Sequence, residues 1–268
     1  MSIRVHDVVG AMERLFPPET AEAWDHVGLT IGDPDAPVSR IAFAVDPCEV
    51  SVAEALTRQA DMLITHHPLY LRGTHSVATT TAKGRWTTAL IQNGVAQFSA
   101  HTNADVAAST AALAELLDVT IEQPLDPQTG IGGVGELQSP LTLEAFARLV
   151  SSVLPTVPAG ILVAGELDQI VSRVAICSGS GDSLLQAANE SGADVYVTAD
   201  LRHHPATDHL WNGGCALVSA THWASEWPVL RVMERRLTRE LALVHGADAE
   251  GIETYVSALS TDAWAMRL

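Results

Sequence analysis

The stretch Ser39–Thr65, SRIAFAVDPCEVSVAEALTRQADMLIT, decides the fold. RIAFAV is a short β-rich run, VSVAEALTRQA has helical spacing and DMLIT is a second apolar run, so the segment reads strand–helix–strand. It returns without gaps as Ser172–Thr198, SRVAICSGSGDSLLQAANESGADVYVT, with seven of the 27 positions identical. A second pair follows in the same order: GVAQFSAHTNAD from Gly94 and GCALVSATHWASE from Gly214, with one residue inserted before the second histidine. Two copies imply two related lobes rather than a solenoid.

Working outward, VHDVVGAMERLF from Val5 has apolar residues at helical spacing, and Pro17 and Pro18 end that helix. KGRWTTALIQN is a helix leading into the strand GVAQFSA. The stretch from about Gln123 to Ser139 is rich in Gly, Pro and polar residues and reads as the junction between halves. Beyond it, LTLEAFARLVSSVL is a helix, CALVSA a strand, and SEWPVLRVMERRLTREL a long helix with Pro228 near its start. The expected fold class is α/β: two similar lobes from an internal duplication, with substantially parallel pairing, spanning residues 1–125 and 126–268 and intertwined with one another.

Composition narrows the function. Of 268 residues, 47% are hydrophobic, enough for a sizeable core. No run reaches the roughly 18 apolar residues of a membrane span. The start, MSIRVHDVVGAMERLF, does not read as a secretory signal, so the expectation is a cytoplasmic protein with no membrane partner. Cys48, Cys177 and Cys215 lie far apart with no CxxC, which supports neither a zinc ribbon nor a disulfide framework; they read as buried thiols. The net charge is −17 and Lys83 is the only lysine, which argues against nucleic acid as a partner. The arginines of RVMERRLTRE read as one solvated helix face.

The chemistry-bearing residues sit after strands, where ligands bind in α/β sheets. His66 and His67 follow DMLIT directly, and Pro68 keeps His67 extended. Adjacent residues on an extended chain point to opposite sides, so the two imidazoles suit two separate ions. His101 and Asp105 form H-x3-D after one strand, and His222 and Glu226 form H-x3-E after its repeat. Residues four apart share a helix face, so each pair can converge on a point. Imidazole and carboxylate without thiolate favour zinc, iron, manganese or cobalt, and carboxylates can bridge a two-metal site that activates water. Asp46 reads as either a support for the site or a helix cap. Trp24, Asp25 and Gly28 read as a structural turn. His6, His75, His209 and His245 fit no constellation.

Taken together, THHPL, HTNAD, THWASE and WDHVGL resemble the dinuclear-metal-centre hexameric proteins, the NIF-three-like family of GTP cyclohydrolase 1 type 2 homologues. The resemblance covers nearly the whole chain. It implies a NIF-three-like fold with ligands drawn from both lobes and two divalent ions per subunit. In it His66 and His67 bind one ion each, Asp105 joins the first, His222 the second, and Glu226 touches both. It also implies a ring-shaped homohexamer with the metal sites facing an internal cavity. His101 stands in the same motif as a ligand, a support or a substrate-facing group, and His203 and His204 follow the repeat-equivalent of the THHPL strand. His101 and His204 are the candidate catalytic proton carriers, because imidazole titrates near neutrality. The chain departs from the family at His26, where Asn is usual, in VAASTAALAELL after HTNAD, in GIGGVGEL, which has no arginine, and in DLRHHP. None of these is a ligand position.

Three functions follow: a metal-dependent hydrolase acting on a nucleotide or related small molecule, a metal-binding or metal-handling protein without catalysis, and a regulatory interaction protein with structural metals. The open N/O ligand set favours the first over the third, since structural zinc sites are usually closed and cysteine-rich. There is no GxxxxGK[ST] phosphate loop, so the nucleotide assignment rests on resemblance.

Overall fold

The computed structural model describes residues 2–268 and resolves the chain into two compact units. The first runs to Ala107 and resumes over Leu230–Thr261; the second is Ala108–Val229 with Asp262–Leu268.

The first unit contains α1 (Val5–Leu15), β1 (Gly28–Ile31), β2 (Arg40–Ala44), α2 (Glu49–Thr57), β3 (Met62–Thr65), α3 (Ala82–Gln92), β4 (Ala96–Ser99) and the short turn α4 (Thr102–Ala104). The second contains α5 (Thr110–Leu116), β5 (Val119–Gln123), β6 (Gly133–Thr142), α6 (Leu143–Val153), β7 (Leu162–Ala164), β8 (Ile170–Ser180), α7 (Leu185–Glu190), β9 (Val195–Ala199), α8 (His203–Trp211) and β10 (Ala216–Ser219). The long helix α9 (His222–His245) begins in the second unit, and β11 (Glu253–Val256) belongs to the first.

The first sheet has the order β1-β4-β3-β2-β11 and is parallel except for β1. The second has the order β5-β6-β8-β9-β10-β7, with β8, β9 and β10 parallel and the rest antiparallel. β3, β4 and β9 are buried along their whole length, and even their polar residues Thr65, Gln97, Ser99 and Thr198 are fully buried.

The duplication is written into the registers. Ile41 faces Met62 and Phe43 faces Ile64 in one unit; Val174 faces Val195 and Ile176 faces Val197 in the other. One step along, Thr65 pairs with Ser99, and Thr198 pairs with Ser219. Even a polar clamp is repeated. Asp61 accepts from the backbone N–H of Ser39 and Arg40 at 2.7 and 2.9 Å, and Asp194 accepts from Ser172 and Arg173 at 2.8 Å each. Each carboxylate thus ties the start of its own strand to the start of the preceding parallel strand.

Two sequence expectations change. The compact units do not divide at residue 125. The segment holding α5 and β5 buries Leu113, Leu117 and Val119 in a second-unit core with Phe146, Val174 and Val197, while β11 adds to the first sheet beside β2. The Gly-rich junction 123–139 is also not one loop, because β6 begins at Gly133. Its glycines permit close approach: a Cβ on Gly135 would stand 1.9 Å from the Thr120 carbonyl oxygen. Of the cysteines, Cys177 and Cys215 are buried and Cys48 is half-buried. No helix among the described residues is long and apolar enough to cross a membrane.

Replacing either clamp carboxylate, Asp61→Ala or Asp194→Ala, should cost about 1–3 kcal/mol, because it leaves backbone donors at the strand start without their acceptor. Urea denaturation of the two variants checks this, and a shift in one but not the other would mean the repeated clamps are not energetically equivalent.

Candidate metal centre

β3 ends at Thr65, and the two histidines that follow it are held by the neighbouring strand. The His66 and His67 N–H groups donate to the Ala44 and Val45 carbonyls at 3.1 and 2.9 Å. The chain bends here, so the side chains do not diverge as an extended pair would: the two ring centroids lie 5.0 Å apart. His66 is fully buried and donates Nδ1–H to the Ala100 carbonyl at 3.0 Å. His67 donates Nδ1–H to Asp46 Oδ1 at 2.7 Å. Asp46 also accepts from the Thr261 hydroxyl. This settles the reading of Asp46: its carboxylate holds an imidazole, and the N-cap of α2 is instead Cys48, whose N–H donates to Ser51 Oγ at 2.9 Å.

β4 leads to His101, which stands at the N-cap of α4 with non-helical backbone angles. The His101 carbonyl accepts the Asp105 N–H at 3.0 Å, one helical turn on. Asp105 opens a π-helical stretch, Asp105–Ser109, and its Oδ1 lies 3.5 Å from His66 Nε2. π-helical turns recur at functional sites because they re-aim a side chain. His101 instead donates Nδ1–H to Asp25 Oδ1 at 3.0 Å. One ring nitrogen each from His66, His67 and His101 lies within 4.8 Å of the other two, so the first unit gathers three imidazoles at one point.

Asp25 is the residue that sequence reasoning undervalued. Its side chain is fully buried and accepts from the His26 N–H, the Thr102 N–H and the Thr102 hydroxyl, besides His101. Burial works to raise its pKa, but the hydrogen bonds from His101 and Thr102 outweigh it and hold the carboxyl well below the usual carboxylate range. No local pattern could have found this pair, since 76 residues separate the partners.

In the second unit the H-x3-E expectation holds in geometry. His222 opens α9, and its Nε2 lies 2.9 Å from Glu226 Oε1 one turn on. His222 donates Nδ1–H to Asp200 Oδ2 at 2.7 Å. Asp200 adopts φ +55°, the left-handed conformation, at the end of β9. Glu226 is buried beside Gly179, which has φ +69°. A Cβ on Gly179 would come 2.2 Å from Glu226 Oε1 and 3.3 Å from His222 Nε2. The Gly179 N–H also donates to Ser225 Oγ at 2.8 Å. The glycine therefore makes the space that the carboxylate and imidazole occupy.

His203 and His204 are exposed at the start of α8, with ring centroids 5.1 Å apart. Arg202 is engaged by Asp182, with Nε 2.8 Å from Oδ2, while Arg72 is exposed.

The donor chemistry fits divalent metal. His66, His67, His101 and His222 are each anchored through Nδ1, to a carbonyl or a carboxylate, so that Nε2 is the ring nitrogen that could hold a metal. Carboxylates Asp105 and Glu226 stand beside two of these rings.

A parallel-stranded α/β unit built twice, with imidazoles at strand ends, places the chain among duplicated α/β proteins with a metal-type site. The chain belongs to the Duf34/NIF3 (NGG1p interacting factor 3) family, whose sequence profile matches residues 3–262. It is 44% identical to a Streptomyces coelicolor protein named GTP cyclohydrolase 1 type 2 homolog, over 97% of this chain and 93% of that one. It is 31% identical to a protein of the same name from Clostridium perfringens, over 89% and 93%. Among solved structures, a Bacillus cereus protein related to NIF3 superposes with a TM-score of 0.89 at 23% identity, covering 99% of both chains. A Staphylococcus aureus hypothetical protein gives 0.87 at 27%, covering 100% of both. These likenesses establish the two-lobed NIF3 fold.

Gly179→Ala should lower stability by about 1–3 kcal/mol through left-handed strain alone, and a crystal structure of the variant should show Glu226 displaced from His222. An unmoved Glu226 would mean that the glycine is not what shapes this part of the site.

Proposed function

We propose that this protein is a dinuclear-metal-dependent, hydrolase-like protein acting on a nucleotide or related small molecule through a metal-activated water. His66, His67, Asp105, His222 and Glu226 are its ligands for two divalent ions of zinc, iron, manganese or cobalt. His66 and His67 take one ion each, Asp105 joins the first, His222 the second, and Glu226 serves both. The observation that carries this reading is the anchoring of every one of these imidazoles through Nδ1, since metal-binding histidines characteristically donate their other ring N–H to a carboxylate or carbonyl. The mixed N/O donor set supports borderline divalent ions.

Divalent ions held by these residues would supply hydroxide from water at neutral pH. The protein's own groups supply the rest. His101 offers a further nitrogen beside His66 and His67, to take a proton or to complete the donor set. His204 is an exposed imidazole and serves as a second proton carrier. The name carried by the relatives supports a purine nucleotide as the substrate, with attack at the carbon between the imidazole-ring nitrogens of guanine. The anionic phosphates of such a substrate require cationic groups besides the ions, and Arg72 is an exposed arginine that could serve. One observation favours a second reading, metal binding or handling without catalysis: Arg202, the other candidate for a phosphate, is already neutralised by Asp182. In either reading the protein works in the cytoplasm as a ring-shaped homohexamer, as the family resemblance implies.

Metal analysis should find about two ions per chain, as a paired-ion site requires, and Glu226→Ala should lower the occupancy of both. Retention of both ions by that variant would remove Glu226 from the ligand set. Metal-loaded protein should turn over a purine nucleotide in a panel assay, and His66→Ala should abolish the turnover; an intact panel would favour metal handling.

Assembly has its own test. Light scattering at micromolar concentration should return a hexameric mass, and a monomeric mass would contradict the ring.

A further inference from the structure

We infer that Asp25 is a positioning residue of the metal centre: it holds His101 in the Nδ1–H tautomer, so that His101 Nε2 stands as a third nitrogen donor beside His66 and His67. This rests on the metal-centre reading above and extends it to two residues outside the five-ligand set.

The argument begins with what an imidazole must do to donate a lone pair. A neutral ring carries one N–H and one bare nitrogen, and whichever nitrogen makes the donating hydrogen bond leaves the other bare. A carboxylate only accepts. Asp25 Oδ1 therefore draws the proton to His101 Nδ1, and the bare nitrogen is Nε2. The same logic applies at His66, where a carbonyl fixes Nδ1–H, and at His67, where Asp46 does. The three rings then agree in tautomer. They also agree in place, since their ring centroids lie 5.0 to 5.3 Å apart pairwise and one nitrogen from each falls within 4.8 Å of the others.

Asp25 is built for this task. Its side chain is fully buried, and both its oxygens are occupied: Oδ1 by the His26 N–H and His101, Oδ2 by the Thr102 N–H and hydroxyl. Four donors leave the carboxylate little freedom to rotate. Thr102 in turn accepts from the Glu22 N–H at 2.9 Å, so the loop carrying Asp25 is tied to the same turn as the ring it orients. The His101 N–H is held separately by Asn103 Oδ1 at 2.9 Å. The backbone would thus keep the ring near its position without Asp25, whereas the tautomer would not be kept. Trp24 meets the His101 ring edge-on at 5.9 Å and limits its rotation.

The test separates tautomer from stability. Metal-free protein labelled with ¹⁵N-histidine is examined by long-range ¹H–¹⁵N correlation, with His101 assigned by loss of its signals in His101→Gln. His101 should show the Nδ1–H pattern. In Asp25→Asn, whose amide can donate to Nδ1, that pattern should be lost and the zinc dissociation constant should rise about 10- to 100-fold. Thr102→Val, which loosens the same loop but keeps the carboxylate, should lower the melting temperature while leaving the tautomer unchanged. Wild-type His101 in the Nε2–H form, or Asp25→Asn binding zinc as tightly as the parent, would overturn the inference. Wild-type protein that binds none of zinc, iron, manganese and cobalt would instead overturn the metal centre itself, with the tautomer result standing on its own. If Asp25→Asn does not fold, the wild-type spectrum still decides the tautomer.

Discussion

The constraint on which the site depends is that an imidazole can present one nitrogen reliably only when the other is tied down. A histidine side chain rotates about two bonds and exists in two neutral tautomers, so an untethered ring offers its lone pair in several directions. Here His66, His67, His101 and His222 each spend Nδ1 on a fixed acceptor. Three of those acceptors are carboxylates, and each has its own restraint: a hydroxyl on Asp46, two donors from Thr102 on Asp25, and a left-handed backbone at Asp200. Much of the surrounding loop structure exists to place these acceptors, and the strand ends supply the rings.

The duplication shows how one scaffold came to deliver two different sets of groups. The registers and the Asp61 and Asp194 clamps are equivalent in the two units, so their alignment is structural rather than a coincidence of letters. Within that frame the chemistry has diverged position by position. Where the first unit has His67, the aligned residue of the second is Asp200, so one copy presents an imidazole and the other the carboxylate that orients one. Where the first has Asp46, the second has Gly179, which makes room for Glu226. The strand end after the last aligned strand stays histidine in both, as His101 and His222. A duplicated fold supplies equivalent places, and substitution at those places decides which group arrives.

What was legible in the sequence follows the range of the interactions. β3 and β9 were legible because strands buried on both faces carry apolar runs, here Met62–Ile64 and Val195–Val197. The pair His222 and Glu226 was legible because four residues make one helical turn. β6 was misread because glycines that allow strands to approach closely look the same in sequence as glycines that form a turn. The short strands β1, β7 and β11 carry too few residues for a periodic signal, and each lies at the edge of its sheet. The H-x3-D spacing marks the single turn from the N-cap His101 to Asp105, and says nothing of the distant acceptor of His101. Asp25 was illegible because its function lies in a partner far along the chain, and a lone Asp after Trp resembles an ordinary turn.

Electrostatics gives the site's composition a reason. The groups that converge on the histidines are acidic: Asp25 and Asp46 behind two of the rings in the first unit, Asp105 facing a third, and Asp200 and Glu226 on either side of His222. Bringing carboxylates out of water costs several kcal/mol for each ion unless opposite charge compensates it. A neutral imidazole answers a carboxylate with one hydrogen bond and no charge. A protonated imidazole would supply the charge but lose its lone pair, and the two Nδ1–H tethers to Asp25 and Asp46 already use the one proton each ring needs to stay neutral. A divalent cation at either cluster would resolve the conflict, because it would leave the rings neutral, take their Nε2 lone pairs and offset the nearby carboxylates. The acidic surroundings are then a working part of the centre rather than a by-product of the chain's net charge of −17.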